Sequence, residues 1–458
     1  MTAKVIFLIV ILLTSFGKAQ STFLSPLDLT RAAEISRVVN LHGNTVWSGW
    51  KAPPQLLRKA DADYLIGHPQ PPADFKPVAD FSVSGQPVYR REGHLIPVPA
   101  ATAWLVAGVW SLALPTLEEF QQAVDQVLGA GVVKLDDPTY VAAAVHEAFH
   151  AFQMTSLNRP PMFGFRGDEG KILANLSSQP NLKRQLVLEG QALRGALEAT
   201  DLSAVWQGVN HFLELRQIRR FHLSPDVAAY EQALEWSEGL ARYAEVSLMR
   251  LVAGQQSADD RFVYPTTNWQ TFLEQVDDVS QIPGTLRDSY YALGAAQGFV
   301  LDRIMNGWKQ NAIPGGTSLE QLLSDLSHRA SSLPASLRIF PIVRLQLAGK
   351  TLWLALANQP DRWRQGLGNV RNLGGLDGML FRFPEETRGK LSNKGSLIPL
   401  EIAFFSKDGL LITVQTMSLC EKDPCPLYGP DLAFMYALET PIGRLVDVPE
   451  GSHLEPLP

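Results

Sequence analysis

The stretch DDPTYVAAAVHEAFHAFQ, residues 136–153, constrains this chain more than any other. Asp137 reads as an N-cap with Pro138 at the first helical position, so a helix is expected to begin there. Its flanks are apolar: Ala142, Ala143, Ala144 and Val145 precede HEAFH, and Ala148, Phe149, Ala151 and Phe152 lie within and after it. Such a helix belongs in a core, where His146, Glu147 and His150 side by side are costly to bury without a partner. The fold must therefore supply one. A chain of 458 residues, 46% hydrophobic and 19% charged, is long enough for two or three packed units in which to do so.

Residues four apart share one face of a helix, so His146 and His150 can aim both rings at a single point. That arrangement suits Zn²⁺, which takes neutral imidazole nitrogens and, in a catalytic site, keeps one position for water. Glu147 is placed to take a proton from that water. The alternative is two histidines packed in a helix whose Glu147 faces solvent. A third ligand is needed, and two later carboxylates are candidates: Glu189 in QLVLEGQALRGAL and Glu238 in ALEWSEGLARYAE. Glu238 shares a stripe with Leu234, Ala241 and Leu248, which turns it toward the core, while Gly239 and Ala241 would let another helix approach. Against this, Glu238 could pair with Arg242 one turn on. His211 and His222 are eleven residues apart, about 16 Å of helical rise, too far for one metal. They read as surface residues, and Trp236 reads as core.

The bulk numbers exclude some partners. A net charge of −6 and a pI near 5.9, with no block of Lys and Arg, give no footprint for nucleic acid or an anionic membrane. The N-terminus, MTAKVIFLIVILLTSFGKAQ, reads as a secretory signal cleaved after Ala19, with Lys4 before the apolar run Val5 to Leu13. This run is shorter than the ~20 residues of a spanning helix. The uncharged run Leu95 to Leu117 carries Pro97, Pro99 and Pro115, and a buried strand with a turn is expected instead. An exported location, periplasmic or extracellular, is the consequence, with no membrane span in the mature chain. Export also allows a disulfide between Cys420 and Cys425 in LCEKDPCPL.

Along the chain, a signal peptide at 1–19 precedes a β-rich N-terminal region at 20–115, whose composition is that of strands and turns rather than long helices. An α-helical core at 116–330 comes next: Thr116 and Glu119 have capping-box spacing, and further helices are expected over Leu182 to Ala199, Ala204 to Leu223, Pro225 to Ala253, Leu286 to Trp308 and Ser318 to Arg329. The remainder, 331–458, is a smaller β-containing region with two strands joined across Lys407-Asp408-Gly409. The fold class is α+β.

HEAFH followed by SEGLARYAE resembles the gluzincin metallopeptidases, whose zinc is held by the histidines of HExxH and a glutamate in a helix of the form E-G-x-A-x-Y. Glu238, Gly239, Ala241 and Tyr243 match that form. DSYYALG also resembles the Y-x-x-G of the aminopeptidase N-like branch, with Tyr291 and Gly294 in place and Tyr290 as runner-up. The resemblance covers about Tyr140 to Trp308 and implies a mainly α-helical, zincin-like core. It further implies Zn²⁺ as cofactor, His146, His150 and Glu238 as ligands, Glu147 as general base, and Tyr291 as a donor to the oxyanion. The substrate would be a peptide or protein. Two departures limit it. The gap of 88 residues from His150 to Glu238 is longer than in that branch, and there is no GxMEN motif, so aminopeptidase action is not implied. The nearer likeness is to peptidase MA-like members. A non-catalytic exported binding or structural module with a zinc-stabilised core is the competing expectation, and a fourth protein ligand would distinguish it. Nothing in the sequence specifies the oligomeric state.

Overall fold

The computed structural model describes residues 23–456 except 98–99, 132, 158–164, 166, 180, 222, 256–258, 283–285, 313–315 and 421. The signal segment and His222 lie outside the described residues. Helices and two mixed sheets make an α+β fold. The chain divides into two compact units, residues 1–191 with 219–296, and residues 192–218 with 297–458. These units cut across the four stretches drawn from composition: the N-terminal strands and the HEAFH helix share one unit.

The first unit opens with a difference from expectation. Helix α1 (Pro26–Val46) occupies the region whose composition pointed to strands and turns. Its start is local: Ser25 Oγ accepts from the Asp28 backbone, and the Asp28 side chain accepts from the Ser25 backbone in return. Its buried polar residues are held at long range. Arg31 Nε donates to Asp137 at 2.5 Å and its Nη1 to Glu118 at 2.8 Å, while Lys59 reaches Asp28 at 2.6 Å. Strands β1 (Gln55–Lys59), β2 (Ala62–Ile66), β3 (Lys76–Val83), β4 (Gln86–Glu92), β5 (Thr102–Val106) and β6 (Val109–Pro115) form a sheet in the order β3-β4-β2-β1-β6-β5. Only β1 and β6 run parallel. The uncharged Leu95 to Leu117 run thus contains β5, a tight turn and β6, with Leu112, Ala113 and Leu114 buried. No helix among the described residues is long and apolar enough to cross a membrane.

Helix α2 (Leu117–Leu128) comes next, but its capping box is not made: the Thr116 side chain makes no cap hydrogen bond, and Glu119 instead accepts from the Ala60 backbone. Helix α3 (Asp137–Ser156) carries HEAFH. Its N-cap is Asp136, one residue before the expected Asp137, and accepts from Thr139 at 2.9 Å. The Tyr140 hydroxyl donates to the Pro115 carbonyl at 2.9 Å and ties α3 to the end of β6. Behind the site, Trp47 and Trp50 meet Phe149 edge-on with centroids 5.2 and 5.0 Å apart, an aromatic wedge that fixes the roll of α3. Helices α4 (Glu169–Ser178), α5 (Leu182–Glu198), α6 (Leu202–Arg220), α7 (Pro225–Leu234), α8 (Leu240–Val252), α9 (Asn268–Asp277) and α10 (Leu286–Ile304) succeed it. The single helix expected over Pro225 to Ala253 is interrupted by a π-helical segment, Glu235–Gly239.

In the second unit, Ser318 caps α12 (Leu319–Ser331), which comes after the short α11 (Trp308–Ala312), by accepting from Gln321 at 3.1 Å. The Gln321 side chain turns to Asp325, so half of the box forms. Strands β7 (Met305–Asn306), β8 (Ile342–Leu347), β9 (Lys350–Ala357), β10 (Gly378–Thr387), β11 (Leu400–Phe405), β12 (Leu411–Met417), β13 (Phe434–Pro441) and β14 (Leu454–Pro456) build the second sheet. Its order is β12-β11-β13-β10-β9-β8-β14, with β7 paired to β8. One face packs Leu354, Leu356, Leu380, Ala403, Phe405 and Leu438 into a core. The β11–β12 hairpin turns across Lys407-Asp408-Gly409 as expected; Gly409 has φ +80°, which an L side chain rarely adopts. Cys420 and Cys425 are joined, with an S–S distance of 2.01 Å.

Candidate metal centre

Both HEAFH histidines point inward from α3. His146 is buried and His150 nearly so, their ring centroids 4.9 Å apart at 74°. The Nε2 atoms converge on one oxygen, Glu238 Oε2, at 3.4 Å from His146 and 3.1 Å from His150. His146, His150 and Glu238 are the single group of three or more such side chains among the described residues whose ligand atoms all fall within 4.8 Å of one another.

Glu238 reaches this point because it lies in the π-helical segment. One extra residue in a helical turn rotates the rest of the helix about its axis, and such bulges recur at functional sites. The segment also packs tightly on α10. A Cβ on Gly239 would fall 2.5 Å from Gly294 Cα, and one on Gly294 would fall 2.5 Å from the Glu235 carbonyl oxygen. The close approach expected at Gly239 is therefore made, and its partner is the glycine of the YALG stretch.

The outer nitrogens of the two imidazoles are also held. His150 Nδ1 is 2.7 Å from Gln153 Oε1, and Gln153 Nε2 donates to the Ser237 carbonyl at 3.1 Å, which fixes the orientation of that amide. His146 Nδ1 is 3.3 Å from Glu245 Oε2. With acceptors on both Nδ1 atoms, neutral rings carry their protons there and present Nε2 lone pairs to a carboxylate oxygen. Three electron-rich atoms facing one another need protons or a cation between them. Burial opposes charge on His146, but the carboxylates of Glu238, Glu245 and Glu147 outweigh it and raise the imidazole to about 10. His150 shifts upward too, burial again being overcome by Glu238. Burial works against the Glu238 carboxylate, yet His150, His146 and Arg287 hold it well below the usual carboxylate range. The donor set, two imidazoles and one oxygen, fits zinc.

Glu147 is buried next to the first histidine and has no hydrogen-bond or ion-pair partner among the described residues. Burial pushes its carboxyl up to about 6, with the two histidines pulling the other way. The Tyr291 ring stacks on His146, centroids 5.7 Å apart and 11° between planes. Burial raises its phenol well above the ordinary value, so it stays protonated. Tyr290 faces elsewhere, its hydroxyl donating to Glu231 at 2.6 Å.

The other candidates are accounted for. Glu189 is not at the centre: it accepts from Arg219 Nε at 2.6 Å in a buried cluster that includes Glu231 and Arg220. Arg242 does not pair with Glu238; it binds Glu245 and Gln275. His211 is exposed on α6, and Trp236 is fully buried. Three supporting residues were not singled out from the sequence. Arg287 donates to Glu238 Oε1 at 2.9 Å and lies one turn before Tyr291. Gln153 is three residues after His150, and Glu245 is two turns after Glu238. Helical spacing from a ligand was the available signal, but many polar residues share it.

Residues 343–455 match the DUF192 family, described as Uncharacterized ACR. No curated protein matches this chain. Among solved structures, a "putative transcription regulator" from Sinorhizobium meliloti 1021 is 27% identical over 25% of this chain and 90% of its own, with a TM-score of 0.23. A protein of unknown function from Novosphingobium aromaticivorans DSM 12444 is 19% identical over 26% of this chain and 86% of its own, also with a TM-score of 0.23.

Proposed function

We propose that this chain is an exported zinc-dependent metallopeptidase of the gluzincin kind, acting on peptide or protein substrates. The observation that carries the reading is the convergence of His146 Nε2, His150 Nε2 and Glu238 Oε2 while both outer imidazole nitrogens are held by acceptors. His146, His150 and Glu238 would hold the metal. When bound, zinc supplies Lewis-acid polarisation of the scissile carbonyl and acidifies a water. The residues of the chain do the rest. Glu147, buried and unpartnered among the described residues, accepts the proton of the attacking water and returns it to the leaving amine. Tyr291, with its phenol protonated and its ring seated on His146, donates to the negative charge developing on the carbonyl oxygen. Arg287 and Gln153 keep the carboxylate and the second imidazole in orientation. Among the described residues the group holds three candidate ligands rather than four, which supports catalysis over a purely structural zinc. The N-terminal sequence and the Cys420–Cys425 disulfide support export.

The test is metal content and turnover on a peptide library. Purified mature protein, beginning at Gln20, should carry close to one zinc per chain and lose it in the His146→Ala/His150→Ala variant. Glu147→Gln should keep the metal while peptide hydrolysis falls by about a hundredfold or more. A zinc-loaded protein that cleaves no peptide would make the centre a structural one. Protein unable to bind zinc would overturn the reading altogether.

A further inference from the structure

We propose that the cavity between residues 360–368 and strand β13 in the second unit binds a small organic cation, an amine, with Glu439 as its counter-charge and Trp363, Phe381, Phe383 and Phe434 as its walls. The cavity is about 580 Å³, a volume suited to a small molecule, and every described residue lining it falls within the stretch that matches DUF192.

Glu439 is the anomaly that points to a ligand. It sits on β13 between Met379 and Ile402, both fully buried, and is itself only 4% exposed. Among the described residues nothing hydrogen-bonds or ion-pairs its side chain, and burial alone, with no neighbouring charge acting on it, lifts the carboxyl to about 8. A buried carboxyl without a partner is costly, and it lines the cavity rather than the closed core.

The walls fit a cation. Trp363 and Phe383 have centroids 5.2 Å apart, and Phe383 meets Phe434 edge-on at 5.7 Å, so three rings form a continuous aromatic surface that continues to Phe381. Aromatic faces attract ammonium groups, and a carboxylate beside them completes the recognition. The cations around the cavity do not neutralise Glu439, because each is committed. Lys390 donates to the Gly429 and Pro430 carbonyls at 2.7 and 3.0 Å, Lys394 pairs with Asp423 at 2.7 Å, and Arg364 pairs with Asp361. All three are exposed, whereas Glu439 is buried. An incoming amine would therefore find an uncommitted carboxyl at the inner wall.

Calorimetric titration of the full chain with benzylamine, benzyl alcohol and benzoate tests this. Benzylamine should bind at least tenfold more tightly than the other two. Glu439→Gln, which keeps the shape and removes an uncompensated buried acid, should fold normally by near-ultraviolet circular dichroism, lose tenfold or more in benzylamine affinity and leave benzyl alcohol unchanged. Trp363→Leu should weaken benzylamine more than benzyl alcohol. Equal or tighter binding of the alcohol or of benzoate, unchanged benzylamine affinity in Glu439→Gln, or no binding of any probe would overturn the proposal.

Discussion

Glu238 and Glu189 bring the same carboxylate into the interior and meet different partners, one two imidazoles and Arg287, the other Arg219. Their substitutions should separate accordingly. Glu238→Gln removes the charge that two histidines face, and zinc retention should fall sharply when measured by metal analysis after gel filtration. Glu189→Gln should keep zinc at the wild-type level but leave the buried Arg219 with Glu231 as its remaining carboxylate, at a cost of about 3 kcal/mol in urea unfolding. The opposite pattern, zinc lost with Glu189 and kept with Glu238, would remove Glu238 from the centre. For single residues the sequence was informative in one direction: the stripe of Leu234, Glu238 and Ala241 turned the carboxylate inward. The stripe by itself did not say what Glu238 would face; the two histidines came from the resemblance, and Arg287 from neither.

Among the elements, the π-helical segment and α10 are pressed together through Gly239 and Gly294, and this contact places both Glu238 and the Tyr291 helix beside α3. Gly294→Ala would put a methyl 2.5 Å from the Glu235 carbonyl oxygen, which is backbone and cannot step aside cheaply. Expected results are a loss of about 1–3 kcal/mol in stability and weakened zinc binding, seen in thermal unfolding and zinc titration. Gly195→Ala is the contrasting change. That exposed glycine lies within α5, and a Cβ there meets nothing within 4 Å, so stability should rise by about 0.5–1 kcal/mol with zinc binding untouched. The helix expected over Pro225 to Ala253 was legible because its apolar period is sustained. The extra residue of the π turn was not, since it depends on how α7 and α8 dock against α10 and α3.

For the molecule taken together, Glu439 gives a pH dependence unrelated to metal. Its carboxyl is raised from 4.5 to about 8 by burial, so the native state holds this proton more tightly than the unfolded chain. The stability it contributes is complete below about 4.5 and is lost as pH rises through 8. Between pH 5 and 8.5 the wild type should lose on the order of a few kcal/mol relative to Glu439→Gln in urea unfolding; parallel pH profiles would contradict the assignment. Features that depend on near neighbours could be read from the chain unaided: the start of α3 at Asp136-Asp137-Pro138, the two histidines on one helical face, the hairpin at Lys407-Asp408-Gly409 and the closely spaced cysteines. Each rests on periodicity or turn chemistry acting over a few residues. Features that depend on residues distant in the chain were settled by packing. Helix α1, in a stretch whose composition pointed to strands and turns, buries Asp28 and Arg31 by pairing them with Lys59, Glu118 and Asp137, partners distant in the chain. Arg287, Gln153 and Glu245 became part of the centre, and Glu439 was left facing a cavity, because separate elements came together there. A buried charge takes its meaning from the groups around it, and those are set by the fold.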